Sequence, residues 1–241
     1  MPRVRADVLM VERGLADTRE RARRLIMAGR ARVGTLTLVK PATMLDAASP
    51  LELIAPERYV SRGGLKLEAA LDTFAIDPSG LRCLDLGAST GGFTDCLLQR
   101  GATSVLAVDV GRAQLHQKLR DDPRVTLVEG TNARSLPPLP PIDFFVADLS
   151  FISLRLILAS VAMRTAPNTP GVVLLKPQFE AGPADVPRGG VIRDSAVRER
   201  VLAGFTAWLE AEAWALDGTM ECPVHGGDGN IEFLLAVRTP C

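Results

Sequence analysis

The run Cys83-Leu84-Asp85-Leu86-Gly87-Ala88-Ser89-Thr90-Gly91-Gly92-Phe93-Thr94 constrains this chain more than any other segment. An apolar, strand-like stretch gives way, through a glycine-rich turn, to a helix-like one. A strand feeding a helix in this way opens a βαβ unit. Around it strand and helix signals alternate. Strands are predicted at Arg82–Leu86, Ser104–Asp109, Val125–Glu129, Asp143–Asp148, Gly171–Lys176, Ala215–Glu221 and Ile231–Arg238, and helices at Gly64–Phe74, Gly91–Gln99, Leu154–Ala166 and Ser195–Ala213. That alternation predicts an α/β, doubly wound sheet of seven strands. Leu136–Pro141 is a proline-rich connector, and the Gly/Pro-rich Phe179–Arg193 is expected to be a mobile loop.

The first 58 residues have a different pattern. Ala6–Arg13 and Arg19–Ala28 have helical spacing, the second behind a Thr18 N-cap, and Ala31–Gly34, Leu36–Val39 and Leu51–Ile54 are short strands. The expected division is a small α+β domain over 1–58, a linker over 59–64 and the α/β domain over 65–241. Residues 1–40 carry ten arginines and lysines against four acids, a net of +6 in a chain of net charge zero. A basic head on an acidic body suits a polyanionic partner. The four cysteines form no Cys-x-x-Cys pair and neither histidine flanks them, so no metal site is expected. With no apolar run of bilayer-spanning length and no signal-peptide core at the start, a cytoplasmic protein without membrane contact is expected.

The glycine turn is Gly-x-x-x-Gly-Gly rather than the Gly-x-Gly-x-x-Gly of dinucleotide binders. It suits a pyrophosphate less well than the methionine moiety of S-adenosylmethionine, whose carboxylate can meet a helix start. Gly87, Ala88, Ser89, Thr90, Gly91, Gly92 and Phe93 are then cofactor-binding candidates, with Asp85 accepting from the amino group. One strand later Asp109 is placed to take both ribose hydroxyls, and Asn132 and Ala133 to border adenine. The plainer alternative is an ordinary α/β turn with capping glycines, with Asn132 as a turn former.

Two further apolar strands end in polar residues, Phe144–Ala147 in Asp148 and Val172–Leu175 in Lys176, at the carboxyl edge where open sheets bind ligands. Lys66 follows Gly63-Gly64, and Glu232 opens the last strand after the turn Gly226–Asn230. In this order Lys66, Asp148, Lys176 and Glu232 resemble the Lys-Asp-Lys-Glu tetrad of FtsJ-like ribose 2′-O-methyltransferases. The surrounding sequence resembles the TlyA family of S4-containing rRNA cytidine methyltransferases, also called hemolysin A. Ser61–Leu67, Asp85–Phe93, Ala147–Leu154, Leu175–Glu180 and Gly229–Phe233 carry that likeness over nearly the whole chain. The resemblance implies a Rossmann-like seven-stranded methyltransferase sheet, S-adenosylmethionine as cofactor and ribosomal RNA within ribosomal subunits as partner. It implies the four tetrad residues as the catalytic set, with Asp148 also beside the cofactor. Lys176 is expected to accept or steer the 2′-hydroxyl proton, and Asp148 and Glu232 to orient the lysines.

Residues 3–40 resemble the S4 RNA-binding module, which implies Arg19, Arg23 and Arg30, then Arg5, Arg32 and Lys40, as contacts to RNA phosphates. Gly34-Thr35 stands where that module usually has Asn-Gly, and Thr18 where serine is common. Relative to longer members the chain stops soon after its last strand, which leans toward the large subunit alone. Three rivals stand beside this reading. A small-molecule methyltransferase needs neither the basic head nor paired lysines. A ribosome-assembly protein with a vestigial pocket needs no intact tetrad. A pore-forming hemolysin needs a membrane-active segment.

Overall fold

The computed structural model of the protein describes residues 3–54, 57–226 and 229–241. Met1-Pro2 and positions 227 and 228 of the turn Gly226–Asn230 therefore lie outside the described residues. The chain divides into two compact units, Met1–Arg58 and Tyr59–Cys241.

In the first unit β1 (Arg3–Arg5) runs into α1 (Ala6–Glu12), followed by α2 (Arg19–Met27), β2 (Ala31–Val33), β3 (Leu36–Leu38), β4 (Met44–Asp46) and β5 (Leu51–Leu53). Thr18 caps α2, its hydroxyl accepting from the Arg21 N–H at 3.2 Å. β2 pairs with β3 and β5, and Gly34, at φ +58°, turns the β2–β3 hairpin. Ala22 and Ile26 of α2 face a core with Leu9, Met10, Leu38 and Leu51. The β1–β4 ribbon has no counterpart in the sequence reading. Its strands are three residues each and forty apart, too short for any periodicity to show.

The second unit opens with α3 (Gly63–Thr73). There follow β6 (Arg82–Leu86), α4 (Gly92–Gln99), β7 (Ser104–Asp109), α5 (Gln117–Arg120), β8 (Val125–Glu129), β9 (Phe144–Ala147), α6 (Leu154–Ala162), β10 (Pro170–Leu175), α7 (Pro177–Glu180), α8 (Ser195–Ala211), β11 (Ala215–Glu221) and β12 (Phe233–Arg238). The sheet order is β11-β12-β10-β9-β6-β7-β8. β6 to β10 are parallel, and β12 runs antiparallel to both neighbours. Both faces are covered. Leu67, Leu71, Cys96 and Leu97 pack on one side, and Ile157, Leu158, Phe205 and Leu209 on the other. This accounts for the near-continuous apolar runs of the central strands. Strand order reverses between β6 and β9, where an open α/β sheet forms its ligand crevice.

Two expectations shift. Residues 59–64, read as a linker, are built into the second unit. Tyr59 sits in its core, the Val60 N–H donates to Asp95 Oδ2 at 2.9 Å, and Gly63 already begins α3. The segment 179–193 is anchored rather than loose. Glu180 accepts from the Ser153 hydroxyl at 2.8 Å and the Leu154 N–H at 2.6 Å. Arg200 pairs with Asp185, and buried Asn230 accepts from the Ile192 N–H at 3.0 Å while donating to the Gly190 carbonyl at 2.9 Å. Glycine and proline content signals irregular backbone but carries no information about such distant anchors.

Candidate active site

The site grows from strand ends. Two of the parallel strands, β9 and β10, end one residue before their predicted ranges. Asp148 stands just past β9 and Lys176 just past β10, where Pro177 lacks the N–H that would extend the ladder. Lys176 Nζ lies 2.6 Å from Asp148 Oδ1 and donates to Ser150 Oγ at 2.9 Å. The second lysine comes from α3. Lys66 is buried, and its ammonium pairs with Glu232, which precedes β12 and is 3% exposed. Two buried or half-buried charges of each sign thus compensate one another, which makes their burial tolerable. Both lysines and Asp148 line one cavity of about 270 Å³, with Ser61, Arg62 and Gly63 at the start of α3 and Ala88, Thr90, Gly92 and Phe93 of the glycine turn.

A larger cavity of about 460 Å³ adjoins it, and Gly87, Ser89, Asp148 and Ser150 line both. Its walls are largely apolar, with Val108, Val110, Leu149, Phe151, Ile152 and Ile157. Asp109 lies at its edge, along with Thr131, Asn132 and Ala133. The turn is held in a demanding backbone conformation. Gly87 has φ +83°, and a Cβ there would meet the Asp148 carbonyl oxygen at 2.3 Å. Ser89 has φ +47°, and its N–H donates to Asp109 Oδ2 at 2.7 Å, while the other oxygen of Asp109 accepts from the Gly111 N–H at 2.6 Å. Asp109 therefore ties the β7 end to the turn. Asn132 uses its side-chain oxygen to cap the Arg134 N–H at 3.0 Å and still borders the cavity. An apolar slot with a carboxylate at its rim, joined to a polar pocket beside a helix start, fits a nucleoside carrying an amino-acid arm.

Two candidates are not where the sequence reading puts them. Asp85 is fully buried behind the turn and is not among the lining residues of either cavity. It accepts from the Thr94 hydroxyl at 2.6 Å, and its Oδ1 has no hydrogen-bond partner among the described residues. Burial, with repulsion from Asp148 and Asp109, pushes its carboxyl up to about 7 against the opposing Thr94 bonds. Gly91, at φ +101°, faces Leu115 and Leu119 rather than a cavity. Spacing alone does not resolve which residues of the strand and turn face a cavity. Conversely, Arg62, Ser150 and Phe151 line the cavities and were not singled out. Phe151 is 90% exposed, has φ +64°, and its ring centroid lies 5.1 Å from that of Phe179. Its membership of Ala147–Leu154 was the only sequence signal.

In the first unit Asp7, fully buried, accepts two hydrogen bonds from Arg5 at 2.9 Å and one from Arg19 at 3.0 Å. Those bonds, Arg5 foremost, hold its carboxyl down to about 2 despite burial. Arg30 donates to the Ile54 carbonyl, and Arg32 forks onto Glu52. Arg23 and Lys40 are exposed.

The profile of the FtsJ-like methyltransferases matches residues 59–239. The chain belongs to the FtsJ-like methyltransferase family. This FtsJ-like protein is 47% identical over 243 residues to YqxC of Bacillus subtilis, which carries an rRNA-methyltransferase name, covering 98% of this chain and 86% of that one. It is 44% identical over 242 residues to TlyA of Mycobacterium tuberculosis, named a 16S/23S rRNA (cytidine-2′-O)-methyltransferase, covering 98% and 90%. A solved structure from Streptococcus thermophilus, described under a hemolysin name, superposes with a TM-score of 0.75 at 42% identity, covering all of this chain and 90% of that one. The seven-stranded sheet and the FtsJ-like assignment thus agree, and the methyltransferase class implies S-adenosylmethionine as methyl donor. Among the described residues no helix is long and apolar enough to cross a membrane.

Proposed function

We propose that this FtsJ-like protein transfers a methyl group from S-adenosylmethionine to the ribose 2′-hydroxyl of a cytidine in ribosomal RNA, acting on ribosomal subunits in the cytoplasm. The observation that carries the reading is the convergence of Lys66 and Lys176, each with its own carboxylate, on the polar cavity beside the glycine turn. The cytidine-2′-O-methyltransferase name of the Mycobacterium tuberculosis relative supports the choice of substrate.

When bound, S-adenosylmethionine would supply an electrophilic sulfonium methyl for the ribose oxygen, with the thioether as leaving group. Val108, Val110 and Ile152 would hold its adenosine in the larger cavity, with Asp109 at the ribose and Asn132 and Ala133 at the base edge. Gly87, Ala88, Ser89, Thr90, Gly92 and Phe93 would hold the amino-acid arm, with Asp148 at the junction of the cavities. Asp85 and Gly91 support the turn from behind.

Lys176 Nζ receives the 2′-hydroxyl proton, which a ribose hydroxyl does not give up unaided. Asp148 orients that amine, and Glu232 does the same for Lys66, whose positive charge favours the developing oxyanion. The exposed Phe151 ring at the rim offers a face for an unstacked base. The first unit is read as an S4-like module in which Arg5, Arg19, Arg23, Arg30, Arg32 and Lys40 contact phosphates. Such contacts position RNA without reading its sequence. Asp7 holds two of these guanidinium groups in place.

Transfer of labelled methyl to purified 30S, 50S and 70S particles tests the reading. Incorporation into one class of particle by the wild type is expected, with transfer by Lys176→Ala slower by about 10²–10⁴-fold. Absence of incorporation into all three, with cofactor bound, would leave the vestigial-pocket alternative.

A further inference from the structure

We infer that Ser150 is a positioning residue for this reaction: its hydroxyl, together with Asp148, fixes the rotation of the Lys176 amine so that the nitrogen lone pair has one defined direction. The inference rests on the methyl-transfer reading above.

A neutral lysine amine carries two N–H bonds and one lone pair beside its link to Cε. Asp148 Oδ1 and Ser150 Oγ lie 2.6 and 2.9 Å from Nζ. Two acceptors match two donors. With both N–H directions taken, tetrahedral geometry leaves a single place for the lone pair, and the 2′-hydroxyl proton must arrive there. With Asp148 alone holding one N–H, the lone pair is divided between the two remaining staggered positions. The placement of Ser150 agrees with this role. It is exposed, and with Asp148 it borders both cavities, whereas neither lysine lines the larger one. Thus the residue fixing the amine stands at the passage between the methyl donor's cavity and the amine's own.

The backbone supports the placement. The residue after Ser150 is held at φ +64°, a region a phenylalanine enters only under constraint. A few residues on, Ser153 caps α6 through the Arg155 N–H and donates to Glu180 at 2.8 Å. The turn from Asp148 to Ser153 is therefore tied at its far end to the helical turn that follows Lys176, and the amine and its second acceptor keep a fixed separation.

The test compares Ser150→Ala and Ser150→Thr with wild type in single-turnover methyl transfer to the subunit the enzyme accepts. Calorimetry of S-adenosylhomocysteine binding and filter binding of the subunit accompany it. Ser150→Ala is expected to slow transfer on the order of tenfold or more, with both affinities unchanged. Ser150→Thr, which keeps the hydroxyl, is expected to restore the rate. A readout independent of turnover is the side-chain ¹⁵N resonance of Lys176, identified by its loss in Lys176→Arg, which is expected to move or broaden in Ser150→Ala and to be retained in Ser150→Thr. A wild-type rate in Ser150→Ala overturns the inference whatever the resonance does, as does a Ser150→Thr enzyme as slow as Ser150→Ala. Full activity in Lys176→Ala would instead sink the underlying reading. An inactive Lys176→Ala with a fully active Ser150→Ala sinks only the role given to Ser150.

Discussion

Lys176 and Asp148 each stand one residue past the end of adjacent parallel strands, and their side chains meet at 2.6 Å. In the register that pairs Val173 with Ala147, β10 runs two residues further than β9, so Lys176 stands beyond Asp148 at the carboxyl edge and also reaches Ser150. Helix α3 then supplies Lys66, and Glu232 comes from the residue just before β12. Four residues far apart in sequence thus form two ion pairs at one sheet edge.

The first prediction concerns the division of labour. Lys176→Ala should reduce methyl transfer by about 10²–10⁴-fold, the usual worth of a placed proton acceptor. S-adenosylhomocysteine affinity should stay near wild type, since the proposed binding surface is the glycine turn and the apolar cavity. Single-turnover rates with calorimetric affinities check both. A matched loss of affinity and rate would show that the lysine holds the pocket together instead.

A second prediction targets the turn. Gly87→Ala places a methyl 2.3 Å from the Asp148 carbonyl oxygen at a φ of +83°. The β6 turn and the β9 end must then separate. Overpacking of this kind costs about 1–3 kcal/mol, and cofactor affinity should fall with it. Thermal unfolding and calorimetry measure the two effects. Wild-type cofactor affinity in the variant would contradict the tight approach.

Asp85 gives a pH dependence with a definite sign. Its carboxyl is raised from 3.8 to about 7 by burial. Between those values the folded protein holds a proton that the unfolded chain has released. The contribution to stability is therefore full below 3.8 and is lost as pH rises through about 7. Asp85→Asn should remove this fall and keep an acceptor for Thr94. Unfolding temperatures of the two proteins are expected to diverge in favour of Asp85→Asn as pH rises across that interval. Parallel curves would show that the carboxylate ionises without cost.

The arginines of the first unit make a fourth prediction. If they meet phosphates, subunit affinity should fall steeply with salt, and Arg23→Ala should lower the magnitude of the log–log slope by about one. Titrations at several salt concentrations measure this. An affinity indifferent to salt would remove the polyanion role.

Much of this was legible in the sequence because period and chemistry coincide there. The apolar runs ending in Asp148 and Lys176, and the glycine turn after β6, revealed the sheet and the edge where the two ion pairs gather. The strands of the larger unit fell within a residue or two of expectation. Other features were not legible. The β1–β4 ribbon joins segments too short to show alternation. Both faces of β6 are buried, so the motif alone does not reveal that Asp85 turns to Thr94 rather than to a cavity. Ser150 and Phe151 line the site because of a turn at positive φ, and such a turn has no compositional mark on a phenylalanine. The anchoring of residues 179–193 depends on Asn230, some forty residues away.

The most direct test is complete alkaline hydrolysis of rRNA after labelled-methyl transfer. A methylated 2′-oxygen cannot attack its own phosphodiester, so the label should emerge in an alkali-resistant dinucleotide whose first residue is cytidine. Label released with mononucleotides, on a base, would contradict the claim that these lysines act on a ribose hydroxyl.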